Sequence, residues 1–430
     1  MKYASDLVEY NRGTIYLEKG NFEKALQFLK RETYMCKETY LNLGTAYNGL
    51  GQYEKAKECF LLSNDIMTPF MYSNTVGKEY PNALGNLGLL AYMDGDDELS
   101  KQYSNRALAL DPLHKMSIWN YSLAMLREYC SGLPLHKWAW KMYGYRFQTL
   151  AKIDNSIPTW DGKSKVKKLV ILTEQGYGDK IMFARYIDRC TEYCDEMVVQ
   201  CVKDMHALYD KWAVCDKAPT DADASIALGE FAGIFGDEAN AEWLSGKYVS
   251  QKGSKFRVAL EWAGNKGHKN DRNRSCPSGY LAPLLKAYPD IEFINIRPDS
   301  PKVKGIKKVA VNDWKDSAEV LAGCDLVISV DTSIVHLAGT MGIPCLMMQP
   351  LCNSDFRWGN WRTKLATGMD VESNIWYPSV KVIENPGWEK LIQEMVVRLG
   401  IIKNEWDIKQ MLGGNTIEEY VEKVKNAQNS

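Results

Sequence analysis

Residues 325–349, DLVISVDTSIVHLAGTMGIPCLMMQ, decide how the rest of the chain is to be read. Positions 326–330 form a short apolar run rich in β-branched residues, which predicts a strand buried on both faces. Asp331, Thr332 and Ser333 supply N-cap chemistry, and Ile334, Val335, Leu337, Ala338 and Met341 continue at helical spacing. Gly342 stops that helix, and the apolar run 344–348 predicts the next strand. A strand, helix, strand unit of this kind belongs to a parallel α/β sheet, and such sheets take ligands just outside the carboxyl ends of their strands. Asp331, Thr332, Ser333 and His336 stand at such an end. A helix N-terminus there offers free backbone N–H groups and a partial positive charge, suited to a phosphate or pyrophosphate. The same residues also suit a plain helix cap, so the choice depends on the rest of the chain.

At 430 residues the chain exceeds one ordinary core and predicts two or three domains. Its 53 lysines and arginines nearly cancel 54 aspartates and glutamates, so no global field draws it to nucleic acid or an anionic membrane. A nucleic-acid substrate held in a local cleft stays open. Eleven scattered cysteines without a secretion signal predict reduced thiols. Cys190 and Cys194 share a helix face, but no second pair at metal-ligand spacing supports zinc. The start MKYASDLVEY lacks an export core, and no run is long enough to span a bilayer, so a cytoplasmic protein is expected.

The first part repeats itself. Gly13, Tyr16, Gly20, Phe22 and Ala25 are matched 31 residues later by Gly44, Tyr47, Gly51, Tyr53 and Ala56. Each unit holds two amphipathic helices around a turn, Gly20-Asn21 or Gly51-Gln52. A weaker third copy carries Gly88, Ala91, Gly95, Ala107 and Pro112. Residues 5–112 thus resemble tetratricopeptide repeats, although the first two spacings fall short of the usual repeat of about 34 residues and 61–81 is an insertion. The repeats imply a docking surface or structural platform and say nothing of reaction. Helices over 114–130 and 135–147 carry Trp119, Tyr121, Tyr129, Trp138, Trp140, Tyr143 and Tyr145, which suit the capping of a helical array better than stacking platforms for bases or sugars. The break IPTWDG at 157–162 and the basic run 163–168 mark a domain boundary.

Beyond it the rhythm is α/β. Strand 169–173, a glycine loop 174–178, helix 179–189, strand 197–202, helix 205–212, strand 225–228 and helix 230–235 make one small half. Strand 257–262, helix 280–287, strand 292–296, the opening unit, strand 380–383 and helix 388–399 make a second. The expected fold is α-helical tetratricopeptide repeats followed by a double Rossmann domain whose halves face across a cleft. Its expected parts are a repeat domain at 1–130, an aromatic connector at 131–164, the halves at 165–252 and 253–402, and a charged helical tail at 403–430.

Two clusters besides Asp331–His336 could carry chemistry. Gly176-Tyr177-Gly178-Asp179 follows the first strand of its half. A dinucleotide fingerprint would need glycine where Ile181 stands and an acid where Val202 and Lys203 stand, so NAD is disfavoured. What remains is a tight turn that lets backbone approach a ligand, with Asp179 at the first position of the next helix. There it is either an N-cap or a general base facing the cleft. The second cluster, EWAGNKGHKNDRNRS at 261–275, leaves a strand end dense with donors. Gly264 and Asn265 permit a sharp departure, and Lys269, Arg272 and Arg274 can neutralise phosphate.

In this order the segments EQGYGDKIMFARY, ALEWAGNKGHKNDRNRS, DLVISVDTSIVHLAGTMGIPC, FRWGNW and NIWYPSVKV resemble the heptosyltransferase-type glycosyltransferases, family nine, in the branch with N-terminal tetratricopeptide repeats. The resemblance spans residues 155–400. It implies a GT-B fold, a nucleotide-diphosphate sugar as co-substrate rather than a resident cofactor, and transfer without a metal. It makes Asp179 the base. It places Asn265, Lys269, Arg274, Asp331, Thr332, Ser333 and His336 at the donor, beside the glycine loop of Gly176 and Gly178. Arg357, Trp358 and residues 376–378 are expected as donor-pocket walls. The acceptor stays open among a protein side chain, a glycan and a modified nucleobase, with a protein partner or the acceptor expected on the repeat groove. The competing reading is a repeat-based scaffold whose glycosyltransferase-like domain is inactive. An epimerase would be expected to show the missing dinucleotide fingerprint.

Overall fold

The computed structural model describes residues 7–65, 79–134, 137–150 (backbone only for 144–150), 157–173, 176–236, 241–250, 253–268, 270–297, 302–350 and 355–412, with 419, 422 and 426. The chain forms two compact units, Met1–Tyr143 and Gly144–Ser430.

The first unit is built from the helices α1 (Val8–Glu18), α2 (Phe22–Leu29), α3 (Lys37–Gly49), α4 (Tyr53–Asp65), α5 (Pro81–Met93), α6 (Asp97–Leu110) and α7 (Lys115–Tyr129), with α8 (Lys137–Leu150) beginning in it. Helices pack in successive pairs, α1 with α2, α3 with α4 and α5 with α6. The repeated glycines have separate causes. Gly20, Gly51 and Gly95 adopt φ of 70°, 73° and 77° in the turns, a conformation that costs other residues more. Gly13 and Gly44 are packing positions: a Cβ there would lie 2.5 Å from Leu29 Cγ and from Phe60 Cε1. The third pair is tied to α7 by a buried charge, since Arg127 Nε donates to Asp97 at 2.8 Å and its guanidinium lies over the Tyr92 ring. The aromatic helices pack on one another: Trp119 stacks on Tyr143 at 5.6 Å, and Trp140 is buried edge-on to Tyr143. This favours the structural reading of those side chains.

The second unit contains two parallel sheets. In the first half the chain runs β1 (Val166–Leu172), α9 (Tyr177–Phe183), β2 (Cys194–Gln200), α10 (Lys203–His206), β3 (Ala213–Cys215), β4 (Ala224–Ala227) and α11 (Phe231–Phe235), giving sheet order β3-β2-β1-β4. The second half runs β5 (Arg257–Glu261), α12 (Asp271–Arg274), α13 (Ala282–Ala287), β6 (Glu292–Asn295), β7 (Ile306–Lys308), α14 (Trp314–Ala322), β8 (Leu326–Val330), α15 (Ser333–Thr340), β9 (Cys345–Pro350), α16 (Trp361–Thr367), β10 (Val380–Asn385) and α17 (Trp388–Met411). Its sheet order is β10-β9-β8-β5-β6-β7. The order reverses between β5 and β8, the switch point at which a parallel sheet opens a ligand crevice. All five residues of β8 are buried, which is why an unbroken apolar run marks it.

Several expected bounds differ. The helix expected over 179–189 is α9 followed by a 3-10 segment, Ala184–Glu192, so Asp179 lies in the third helical position and not the first. The strand expected at 197–202 lies at Cys194–Gln200, and the helix expected over 205–212 is the single turn Lys203–His206 followed by irregular turns. Strands β3 and β7 and helices α12, α14 and α16 were not anticipated; the two strands have three residues each, too few to show a period. Helix α17 runs unbroken through the boundary expected at 402/403. Its later turns pack back, with Trp406 edge-on to Phe256 at 5.5 Å and Lys403 paired with Asp290.

Candidate active site

One cavity of about 1390 Å³ opens between the carboxyl ends of the two sheets of the second unit. Its wall from the first half includes Gly176, Tyr177, Gly178 and Asp179. From the second half come Asn265, His268, Arg274, Asp331, Thr332, Ser333, His336, Asp355 and Arg357. The three clusters found in the sequence therefore share one opening. Lys269 lies outside the described residues.

The donor loop and the α15 N-terminus meet because β5 and β8 are neighbours in the sheet. Arg274 Nη1 donates to the Asp331 carbonyl at 3.1 Å, tying one loop to the other. Gly264 makes this possible, since a Cβ there would lie 2.5 Å from Arg274 Nε. Asn265 turns its own loop, its Oδ1 accepting from Gly267 N at 2.9 Å. Thr332 is the N-cap of α15, yet its side chain makes no capping bond. Ser329 Oγ donates to the Val330 carbonyl at 2.7 Å, so in the 3.1 Å contact between the two hydroxyls Thr332 is the donor. With no side-chain cap on α15, the plain capping reading of Asp331 and Thr332 loses its ground.

Asp331 is half-buried. Burial first, then the charge of Asp355, pushes its carboxyl up to about 6, while Arg274 and Arg357 pull the other way. Asp355 is held below the usual carboxylate range, because the Arg357 guanidinium overrides the upward push of burial. Arg357 Nη1 donates to both Asp355 oxygens at 2.8 Å, and its Nη2 is ion-paired with Asp179 from the other half. The guanidinium thus bridges the carboxylate expected as base to one on the opposite wall. Burial, aided by Arg357, pushes buried His336 down to about 3, so its imidazole is neutral.

Two expectations change. Gly178 is a close-approach glycine whose neighbour is protein: a Cβ there would lie 2.8 Å from His336 Cδ2. Of the expected pocket walls only Arg357 lines the cavity; Trp358, Trp376 and Tyr377 are buried outside its lining, and Pro378 is exposed and takes no part in it. Asp355 and His268 were not singled out from the sequence. Asp355 follows the carboxyl end of β9, so the strand-end rule that found Asp331 would have flagged it too.

The fold and site define a class: a tetratricopeptide-repeat unit joined to an α/β unit of two facing Rossmann-like halves, the GT-B arrangement. Residues 10–33 and 37–66 match the tetratricopeptide repeat family model. By sequence, no curated protein matches the chain. Among solved structures it is similar to the iron-containing dodecameric glycosyltransferase TibC from enterotoxigenic E. coli H10407, at 13% identity and a TM-score of 0.39 over 58% of this chain and 78% of that one. It is similar to E. coli heptosyltransferase WaaC with ADP-2-deoxy-2-fluoro heptose, at 12% identity and a TM-score of 0.37 over 55% and 99%. It is also similar to a Thermobaculum terrenum O-GlcNAc transferase mutant, at 10% identity and a TM-score of 0.35 over 94% and 92%.

Proposed function

We propose that the protein is a glycosyltransferase that moves a sugar from a nucleoside-diphosphate donor to an acceptor, without a metal. One observation carries this reading: a single cavity holds Asp179 on one wall and the α15 N-terminus with Arg274 on the other. Asp179 takes the proton of the acceptor nucleophile as that nucleophile bonds to the sugar's anomeric carbon. The bond from that carbon to the diphosphate breaks, and its electron pair stays on the phosphate oxygen. The free N–H groups of α15 and the guanidinium of Arg274 stabilise the leaving charge, work that a metal ion does elsewhere. Arg357 is paired to Asp179 in the structure. A diphosphate is the stronger partner for a guanidinium, so an arriving donor draws Arg357 to itself and leaves Asp179 facing the acceptor.

The test is hydrolysis and transfer with a panel of nucleotide sugars, run on wild type and Asp179→Asn. The expected outcome is turnover by wild type with at least one donor and loss of turnover in D179N without loss of donor affinity. Collapse of donor affinity in D179N would make Asp179 a structural residue. Absence of binding by any nucleoside diphosphate would leave the repeat-bearing scaffold as the surviving reading.

A further inference from the structure

A buried contact chain runs behind the cavity from the first half of the α/β unit to His336. Arg185 follows α9; its Nε donates to the Met182 carbonyl at 2.8 Å and its Nη1 to the Trp376 carbonyl at 3.0 Å. Its guanidinium carbon lies 4.8 Å from the centre of the Tyr377 ring. Tyr377 is fully buried, and its hydroxyl is 2.9 Å from His336 Nδ1. Room for this ring comes from Gly339, where a Cβ would lie 2.4 Å from Tyr377 Cγ. The opposite edge of the imidazole faces the glycine turn: a Cβ on Gly178 would lie 2.8 Å from Cδ2 and 3.2 Å from Nε2. Nδ1 therefore meets the protein interior, while Nε2 lies on the edge turned to the cavity wall.

We infer that Tyr377 is a positioning residue whose hydroxyl donates to His336 Nδ1 and so holds the imidazole in the tautomer with its hydrogen on Nε2, an uncharged donor on the ring edge beside Gly178 in the wall of the cavity. Two physical arguments support the direction of that bond. A neutral imidazole has one N–H and one lone pair, so whichever nitrogen accepts from tyrosine leaves the other as donor. The Arg185 cation beside the phenol attracts the oxygen lone pairs and turns the O–H dipole away from itself, toward Nδ1. Burial raises the phenol's pKa to about 12 and lowers that of the imidazole, so neither group escapes the constraint by ionising near neutral pH. An N–H at this place matches an anionic oxygen, and the assignment of that oxygen to the donor diphosphate rests on the transferase reading above. The tautomer itself does not.

The experiment uses the full chain labelled with 15N-histidine. Long-range proton–nitrogen spectra distinguish protonated from unprotonated ring nitrogens, and His336→Gln assigns the signal among the five histidines. The expected result is a proton on Nε2 in wild type, lost or mixed in Tyr377→Phe and partly mixed in Arg185→Gln. ADP and UDP are then titrated into wild type and Y377F, with an expected weakening of about five- to tenfold, the worth of one hydrogen bond. A wild-type proton on Nδ1, or an unchanged tautomer in folded Y377F, overturns the inference. If neither nucleotide binds wild type while the tautomer behaves as expected, the diphosphate reading fails and the tautomer assignment stands. A helix that merely packs against Tyr377 would lose stability in Y377F without changing which nitrogen is protonated.

Discussion

Replacing Asp331 by asparagine should stabilise the α/β unit above neutrality and leave it unchanged in acid. The carboxyl ends β8 half-buried, and burial together with the Asp355 charge raises its pKa from 3.8 to about 6. A folded-state pKa above the unfolded value means that the native protein binds the proton more tightly. Stability therefore falls as pH rises from about 4 through 6 and does not return above that window. At about 1.4 kcal/mol per tenfold change in acidity, that shift corresponds to a ceiling of about 3 kcal/mol. Contact with water in the cavity reduces this to about 1 to 2 kcal/mol for the actual residue. Asparagine keeps the shape and the hydrogen-bonding oxygen but cannot ionise, so it carries none of the penalty. The assay is urea-dependent hydrogen exchange of the β8 and α15 peptides at pH 4.5 and 7.5, at one ionic strength, for wild type and D331N. The variant should gain at pH 7.5 and gain clearly less at pH 4.5, where the folded carboxyl is still protonated and only part of the penalty has built up. A variant less stable than wild type at pH 7.5, or an equal difference at both pH values, would refute the reasoning. Either result would mean that the Asp331 charge is compensated by Arg274 and Arg357 more fully than its burial costs.

Gly178→Ala sets a methyl 2.8 Å from His336 Cδ2, and that ring is too buried to move freely. The expected outcome is a stability loss of about 1 to 2 kcal/mol with weaker binding of ADP or UDP, read by thermal unfolding and titration; unaltered nucleotide affinity would remove His336 from the donor site. Gly44→Ala drives a methyl to 2.5 Å from the fully buried Phe60 ring. Overpacking should outweigh the gain of up to about 1 kcal/mol in helix propensity, giving a net loss of about 1 to 2 kcal/mol. Circular dichroism melting checks this, and a more stable variant would show that the second helix pair, α3 with α4, is not held by close packing at this position.

The opening unit was legible in the sequence because every signal it carries is local. β8 occupies the predicted positions 326–330, and α15 ends just before Gly342, whose φ is 71°. The repeats were legible for the same reason, their glycines and alanines recurring at one spacing. The three loop clusters could be placed at strand ends, and parallel sheets gather strand ends into crevices. Chain periodicity carries no information about which distant loops touch. The ion pair of Asp179 with Arg357 joins residues 178 positions apart, and only the packing of one half against the other brings them together. The same packing turns Gly178 from a ligand-approach glycine into one that makes room for His336, and sets Tyr377 behind that imidazole. The sequence alone determined most of the longer elements and the residue types at the cleft. Tertiary structure decided their partners, because contacts between distant segments depend on how the sheets are ordered and packed.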